Sequence, residues 1–224
     1  MPVKDSLNTA EEAIRAVVAS NHALTVYDDY STKETATRLD KLSEELGIRV
    51  IHISEHISHP SPNYLWVLQN AQKDALMLDA ALVIVESDVV VRPDTIDRLS
   101  EAVEPGVGMV ASVTQNAKGN INFPYEYARV IHKDGPCAKR LSFCCTLITP
   151  QLLRAYSFEM LDPSKTWFDV HISHQSHKMG LQNILQISNP VLHKPHSSRP
   201  WKKLKYTRPL FYYWSKMILK RDRI

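Results

Sequence analysis

The stretch ALVIVESDVVVRPD, Ala81 to Asp94, decides how the chain is read. Ala81 to Val85 predicts a buried strand, and Glu86 and Asp88 stand where it ends. Two carboxylates at the end of an apolar strand repel each other and lose water. Such a site is costly unless a cation neutralises it. A hard divalent ion, Mn²⁺ or Mg²⁺, held by oxygen ligands and a phosphate partner meets that need. The stretch therefore points to a diphosphate-bearing substrate. The valines after Asp88 return the chain to the core before Pro93, which is expected to start a helix.

Outward from this strand, elements alternate. MPVKD reads as a strand end, and Thr9-Ala10-Glu11-Glu12 as a capping box opening a helix. Leu24 to Tyr27 is a strand running into Asp28 and Asp29. A second capping box at Ser31-Thr32-Lys33-Glu34 opens a helix that Gly47 ends. Ile48 to Ile53 is a strand, and Ser61-Pro62 starts a helix through Leu76. Beyond Asp94, strands are expected at Val107 to Val113, Arg140 to Ile148 and Asn183 to Ile187. Helices are expected from Thr149-Pro150 and over Trp167 to Met179, with a polar loop at Lys118 to Gly135. The alternation implies an α/β fold, a mostly parallel sheet with helices on both faces. Such sheets bind ligands beyond the carboxyl ends of their strands, where Pro2, Asp28, Asp29, Glu86 and Asp88 fall. Asp94 is read as a helix cap.

Composition narrows the classes. Gly is scarce, at 6, and neither G-x-G-x-x-G nor G-K-[ST] occurs, which argues against Rossmann dinucleotide binding and P-loop chemistry. Cys137, Cys144 and Cys145 include an adjacent pair and no C-x-x-C, so they read as reduced core thiols of a cytoplasmic chain. No signal peptide and no apolar run of spanning length is read. From Arg199 onward, cations mix with Trp201, Phe211, Tyr213 and Trp214. The chain thus divides into a domain over residues 1–198 and a basic aromatic tail over 199–224. That tail reads either as a helix packed on the domain or as an interfacial segment on the inner face of a membrane. Its cations sit in one tail rather than across a folded face, so nucleic acid is not an expected partner.

The order PVKD, TVYDDYSTKET and VIVESDVVVRPDTIDRL resembles the opening of family 2 glycosyltransferases of the GT-A fold. RLSFCCTLITPQLLRAYSFE, TWFDVHISHQSHKMG and NPVLHKPHSSR continue the likeness in the same order, through about residue 199. The resemblance implies transfer of a sugar from a nucleotide-diphosphate sugar to a glycan or lipid-linked acceptor. It places Pro2, Val3 and Asp29 at the nucleotide, and Glu86, Ser87 and Asp88 at the donor as the D-x-D-like segment. Asp88 and His193 would hold Mn²⁺ or Mg²⁺, and Asp169 would be the general base of an inverting displacement. Glu86 stands in place of the first Asp of that motif, Asp5 in place of an Asn, and Phe168 where an acid commonly precedes the base.

Rival readings are weaker. His171, His174 and His177 drift around a helix, so one ion is hard to reach with all three, and His171 and His174, close to Asp169, read instead as flanking an acceptor site. Trp66 and Leu68 read as packing, and Trp167 as a candidate sugar platform. A sugar-phosphate nucleotidyltransferase would carry a glycine- and arginine-rich loop where this chain has PVKDSLNTAEE. The remaining alternative is a GT-A-fold protein that binds nucleotide without turnover.

Overall fold

The structure is a computed structural model that describes residues 1–165, 167–194 and 208–218. In chain order the strands are β1 (Pro2–Val3), β2 (Thr25–Asp28), β3 (Arg49–His52), β4 (Leu82–Val85), β5 (Val89–Val90), β6 (Val107–Gln115), β7 (Gly135–Pro136), β8 (Cys145–Ile148) and β9 (Gln182–His193). The helices are α1 (Leu7–Val18), α2 (Lys33–Leu46), α3 (Tyr64–Met77), α4 (Thr95–Glu101), α5 (Pro150–Ala155), α6 (Phe168–Lys178) and α7 (Pro209–Ile218).

Period-two burial along the strands builds a core on each face. On β6, Val110 faces one cluster, whereas Met109, Ala111 and Val113 face the other. The first cluster takes Ile14 and Val17 of α1, Leu39 and Leu42 of α2, and Ile96 and Leu99 of α4. The second takes Leu68 of α3, Leu152 and Leu153 of α5, and Phe168 and Ile172 of α6. Helices therefore cover both faces, as the alternation implied. Each fully buried Leu or Ile contributes about 1.5–3 kcal/mol. Leu68 is core, and Trp66 packs edge-on against Tyr27 and flat against His56, so both are packing residues.

Strand direction differs between the halves. β1, β2 and β3 form an all-parallel sheet in that order. The second sheet runs β4-β8-β6-β9-β5, with β7 beside β9. Only the β6·β9 pair in it is parallel; β8 lies antiparallel to both β4 and β6. The parallel expectation thus holds for the first sheet and gives way in the second. There β6 reaches β8 through the long segment 116–144 rather than through a crossover helix, so nothing enforces a parallel return.

Element starts shift for identifiable reasons. Helix α1 begins at Leu7 rather than after Thr9. Asp5 and Ser6 both adopt positive φ and turn the chain, and the β2–α2 loop holds them there. Asp5 N–H donates to Ser31 Oγ at 2.9 Å, and Asp5 Oδ1 accepts from Thr32 N–H at 2.8 Å. Glu11 of the expected box instead meets Arg38 and Arg15, which hold its carboxyl down at about 2. Thr32, not Ser31, caps α2, and Gly47 ends it at φ 65°. Helices α3 and α4 start two residues after Pro62 and Pro93 respectively. Asp94 is the N-cap residue of α4, with its carbonyl accepting from Arg98 N–H at 3.0 Å, but its carboxylate makes no cap bond and faces Arg92 and Arg98. The strand expected from Arg140 begins only at Cys145, whereas β9 runs on to His193.

The boundary expected at residue 198, the SSR segment and most tail cations lie outside the described residues. Within α7, Leu210, Phe211, Tyr213 and Trp214 are exposed. Among the described residues no helix is long and apolar enough to cross a membrane.

Candidate functional site

The acids of the opening stretch sit in a tight turn. Val89 N–H donates to the Glu86 carbonyl at 3.1 Å, which closes the chain around Ser87 and Asp88. The turn lets the chain leave β4 and re-enter the sheet as β5, where Val89 and Val90 pair with His193 and Leu192 of β9. Val89 and Val91 then bury in the same cluster as Val85, which is why the valines resume.

That register sets His193 beside Asp88. The Asp88 carbonyl accepts from Lys194 N–H at 2.8 Å, and Asp88 Oδ2 lies 3.5 Å from His193 Nε2. Both side chains are buried. His193 Nδ1 lies 2.7 Å from the Phe123 carbonyl, which can only accept, so Nδ1 carries the ring proton. In the neutral ring Nε2 is then a lone pair facing a carboxylate oxygen. Orientation of a ligating imidazole by a carbonyl on its other nitrogen is the usual supporting arrangement at metal sites. Two electron-rich atoms brought together from distant parts of the chain fit a divalent cation. Among the described residues no group of three or more His, Cys, Asp or Glu is arranged to hold one. Mg²⁺-type sites commonly use one or two protein ligands, with substrate phosphates completing the set.

Glu86 is half-buried beside Cys144, whose thiol donates to Glu86 Oε2 at 3.4 Å. Burial pushes the Cys144 thiol well up, and Glu86 and Asp88 push the same way, so it stays protonated and donates. All three cysteines are buried and free, as the sequence implied. The Tyr125 hydroxyl accepts from Ser142 N–H at 2.8 Å, and burial pushes it well up.

Asp169 lies in the first turn of α6, where helix N–H groups favour a carboxylate. Arg140 Nη1 donates to Asp169 Oδ2 at 3.0 Å. Burial nevertheless pushes the Asp169 carboxyl up, against the opposing pull of Arg140. Its three neighbouring histidines serve separate partners: His171 meets Tyr156 and Gln175, His177 meets Asn183, and His174 is exposed. Trp167 is half-buried just before α6.

The residues expected at the nucleotide also converge. Asp29 N–H donates to the Val3 carbonyl at 2.8 Å, which sets Pro2, Val3 and Asp29 side by side at the ends of β1 and β2. Asp29 is buried, and its carboxylate accepts from Ser61 Oγ at 2.7 Å, Asn63 N–H at 3.0 Å and Asn63 Nδ2 at 2.7 Å. It therefore clamps the loop before α3, with room for about one more donor on its four acceptor sites. Neighbouring Asp28 meets His52, which also meets Asp40. Asn63→Ala should destabilise the fold by about 1–3 kcal/mol, since it strips the Nδ2 donor from a buried carboxylate while the backbone N–H stays. Urea unfolding measures this; an unchanged midpoint would sink the clamp.

Asn63, Arg140, Cys144 and the Asn122–Phe123 pair are absent from the sequence-level site. Each contacts its partner across a long chain separation, for which local patterns carry no signal.

These features accompany a sequence match to the family described as Glycosyl transferase family 2 over residues 1–185, and the chain belongs to that family. Its fold is the GT-A fold, shared with solved glycosyltransferases. A mannosyltransferase from Pyrobaculum calidifontis, in complex with GDP-Man and Mn²⁺, is 16% identical with a TM-score of 0.67 over 97% of this chain and 62% of that one. TarS 1–349 from S. aureus is 14% identical, with a TM-score of 0.64 over 85% and 57%. Glucosyl-3-phosphoglycerate synthase from Mycobacterium tuberculosis, in complex with Mn²⁺, UDP-Glc and phosphoglyceric acid, is 17% identical with a TM-score of 0.56 over 91% and 72%. The chain thus spans less than two thirds of the length of the first two. No curated protein matched it.

Proposed function

We propose that this chain transfers a sugar from a nucleotide-diphosphate sugar to an acceptor hydroxyl, with inversion and with divalent-metal dependence. The observation that carries this is the pairing of Asp88 Oδ2 with His193 Nε2 at 3.5 Å, brought together from distant parts of the chain. Neighbours of the same fold have been solved with GDP-Man, UDP-Glc and Mn²⁺.

Pro2, Val3 and Asp29 line the nucleotide side, and Asp29 accepts from the base or ribose with the acceptor position its loop leaves open. Asp88 and His193 would hold Mn²⁺ or Mg²⁺, which when bound supplies positive charge to the departing diphosphate. Glu86 and Ser87 fix the turn that presents Asp88. Asp169 takes the proton from the acceptor hydroxyl, and Arg140, donating to Oδ2, opposes the upward push of burial on its carboxyl. The free thiols fit a cytoplasmic chain. The exposed apolar residues of α7, in a basic tail, support peripheral contact with the inner face of a membrane and a glycan or lipid-linked acceptor.

The test is thermal unfolding with UDP, GDP, dTDP and CMP, each with and without Mn²⁺. A ligand at 100 times its Kd stabilises by about 2.7 kcal/mol. One nucleotide should raise the midpoint only when Mn²⁺ is present. A shift without turnover of the matching nucleotide sugar would leave the nucleotide-binding alternative, and no shift with any nucleotide would overturn both.

A further inference from the structure

The ends of β2 and β3 carry a histidine between two acids. The two strands pair in parallel with Asp28 opposite His52. Period two puts both on the face of Val26 and Val50, against which α1 and α2 pack. There α2 brings in Asp40. His52 Nδ1 lies 2.8 Å from Asp28 Oδ2, and Nε2 lies 2.8 Å from Asp40 Oδ1. An ionised carboxylate only accepts, so each ring nitrogen must donate, and only the imidazolium has two N–H groups. A neutral ring would set a lone pair against one of the two carboxylates.

Charge argues the same way. Asp28 and Asp29 are consecutive and both buried. The Asp29 carboxylate is held by neutral donors from Ser61 and Asn63. Asp28 Oδ1 accepts from Ser31 N–H at 3.1 Å. Among the described residues, His52 is the one cationic side chain that pairs with either acid. Buried carboxylates without a cation are costly, so the proton on His52 is worth keeping. Burial pulls the His52 ring down, but hydrogen bonds to Asp28 and Asp40, with the charges of both, outweigh it and hold the ring above its ordinary 6.5. Asp28 of β2 and Asp40 of α2 are the charged groups that act on it.

Removal of the proton has an uneven effect. The Asp40 side chain is 59% exposed and can return to water, whereas that of Asp28 is 4% exposed and cannot. The neutral ring therefore keeps Nδ1–H on Asp28 and gives up Asp40. The tie between α2 and the sheet opens, and the acids beside Asp29 lose their positive charge. We propose that His52 is a proton-operated clasp at the nucleotide side of the site: as imidazolium it ties α2 to the end of β2 and offsets the charge of the acids there, and its neutral form binds the anionic donor more weakly. The effect on binding rests on the donor reading above; the clasp itself does not.

The test begins with a nitrogen-detected NMR titration of the histidines in the full chain. His52 should carry two N–H groups at low pH and titrate above 6.5. Asp40→Asn should lower that midpoint. A ring raised in this way contributes stability that is complete below its unfolded value and is lost as pH rises through the folded one. The melting temperature of wild type should therefore fall, relative to that of His52→Gln, as pH rises from about 6 to about 8. Over the same range, calorimetric titration with UDP and GDP, each with Mn²⁺, should show wild type losing about fivefold more affinity than His52→Gln. If His52→Gln does not fold, Asp40→Asn carries both comparisons, because Asp40 is exposed and its amide keeps the shape. A His52 midpoint at or below 6.5, or one indifferent to Asp40→Asn, would overturn the clasp. Equal loss of affinity in wild type and variant would overturn its control of binding. Wild type that binds neither nucleotide at any pH, with the titration and melting as expected, would overturn the donor reading and leave the clasp.

Discussion

Asp169→Asn should reduce turnover by about 10²–10⁴ while leaving nucleotide-sugar binding intact, because it removes the proton acceptor and keeps the shape of the side chain. Stability should hold or rise. Burial raises the Asp169 carboxyl in the folded chain. An aspartate raised in this way contributes stability below its unfolded value, about 3.9, and that contribution is lost as pH rises through the folded value. At neutral pH the ionised group is therefore a cost, which the amide does not carry. Arg140 loses its partner but is partly exposed, so water takes over its hydration. The acid limb of wild-type turnover should lie above about pH 3.9, where an unperturbed Asp titrates. In Arg140→Leu only the backbone N–H groups of Asp169 and Val170 still oppose burial, and the limb should move further up. Steady-state rates across pH, read beside the melting temperature, check all of this. An Asp169→Asn enzyme that turns over normally, or a limb indifferent to Arg140, would remove Asp169 from the role of base.

The same residues show what the sequence carried and what it could not. The run before Glu86 announced its strand because burial on both faces leaves an unbroken apolar signature, and Ile84 and Val85 do fall in opposite clusters. Helix faces were legible because 3.6-residue spacing is local. Strand direction in the second sheet was not, because antiparallel pairing of β8 with β4 and β6 depends on how segment 116–144 returns, and its composition says only that it is polar. The order of motifs points to Asp88, His193 and Asp169, and the fold brings Asp88 and His193 together through one register of β5 on β9. Asp29 shows the opposite case. The resemblance leads one to expect it at the nucleotide, but its grip on Ser61 and Asn63 is a tertiary fact with no local pattern. Arg140 reads in sequence as the start of a strand; it lies outside one, and its partner is 29 residues away. The capping box at Thr9 fails for a related reason, since the β2–α2 loop holds Asp5 and starts the helix earlier.

Asp88→Asn should weaken the manganese-dependent part of nucleotide binding at least tenfold and leave the fold intact. Charge rather than contact decides this. Asp88 is buried in a turn with Glu86 and faces the Nε2 of His193. Without a cation, a carboxylate there is desolvated beside a second acid, so replacing it with a neutral isostere should not lower the melting temperature. With Mn²⁺ and nucleoside diphosphate, wild type should gain about 2.7 kcal/mol at 100 times its Kd. The variant, left with His193 and a neutral amide, should lose at least tenfold in affinity, about 1.4 kcal/mol of that gain. His193→Gln should give the same loss by the other route, since a neutral amide lacks the Nε2 lone pair that the imidazole presents beside Asp88. Melting curves of the three proteins, with nucleotide and with or without Mn²⁺, separate the cases. A full manganese-dependent shift in Asp88→Asn would mean that the two atoms 3.5 Å apart are a buried ion pair and that the cation is held elsewhere. Loss of the shift in both variants, with apo stability kept, would tie the acids of the opening stretch to the donor diphosphate.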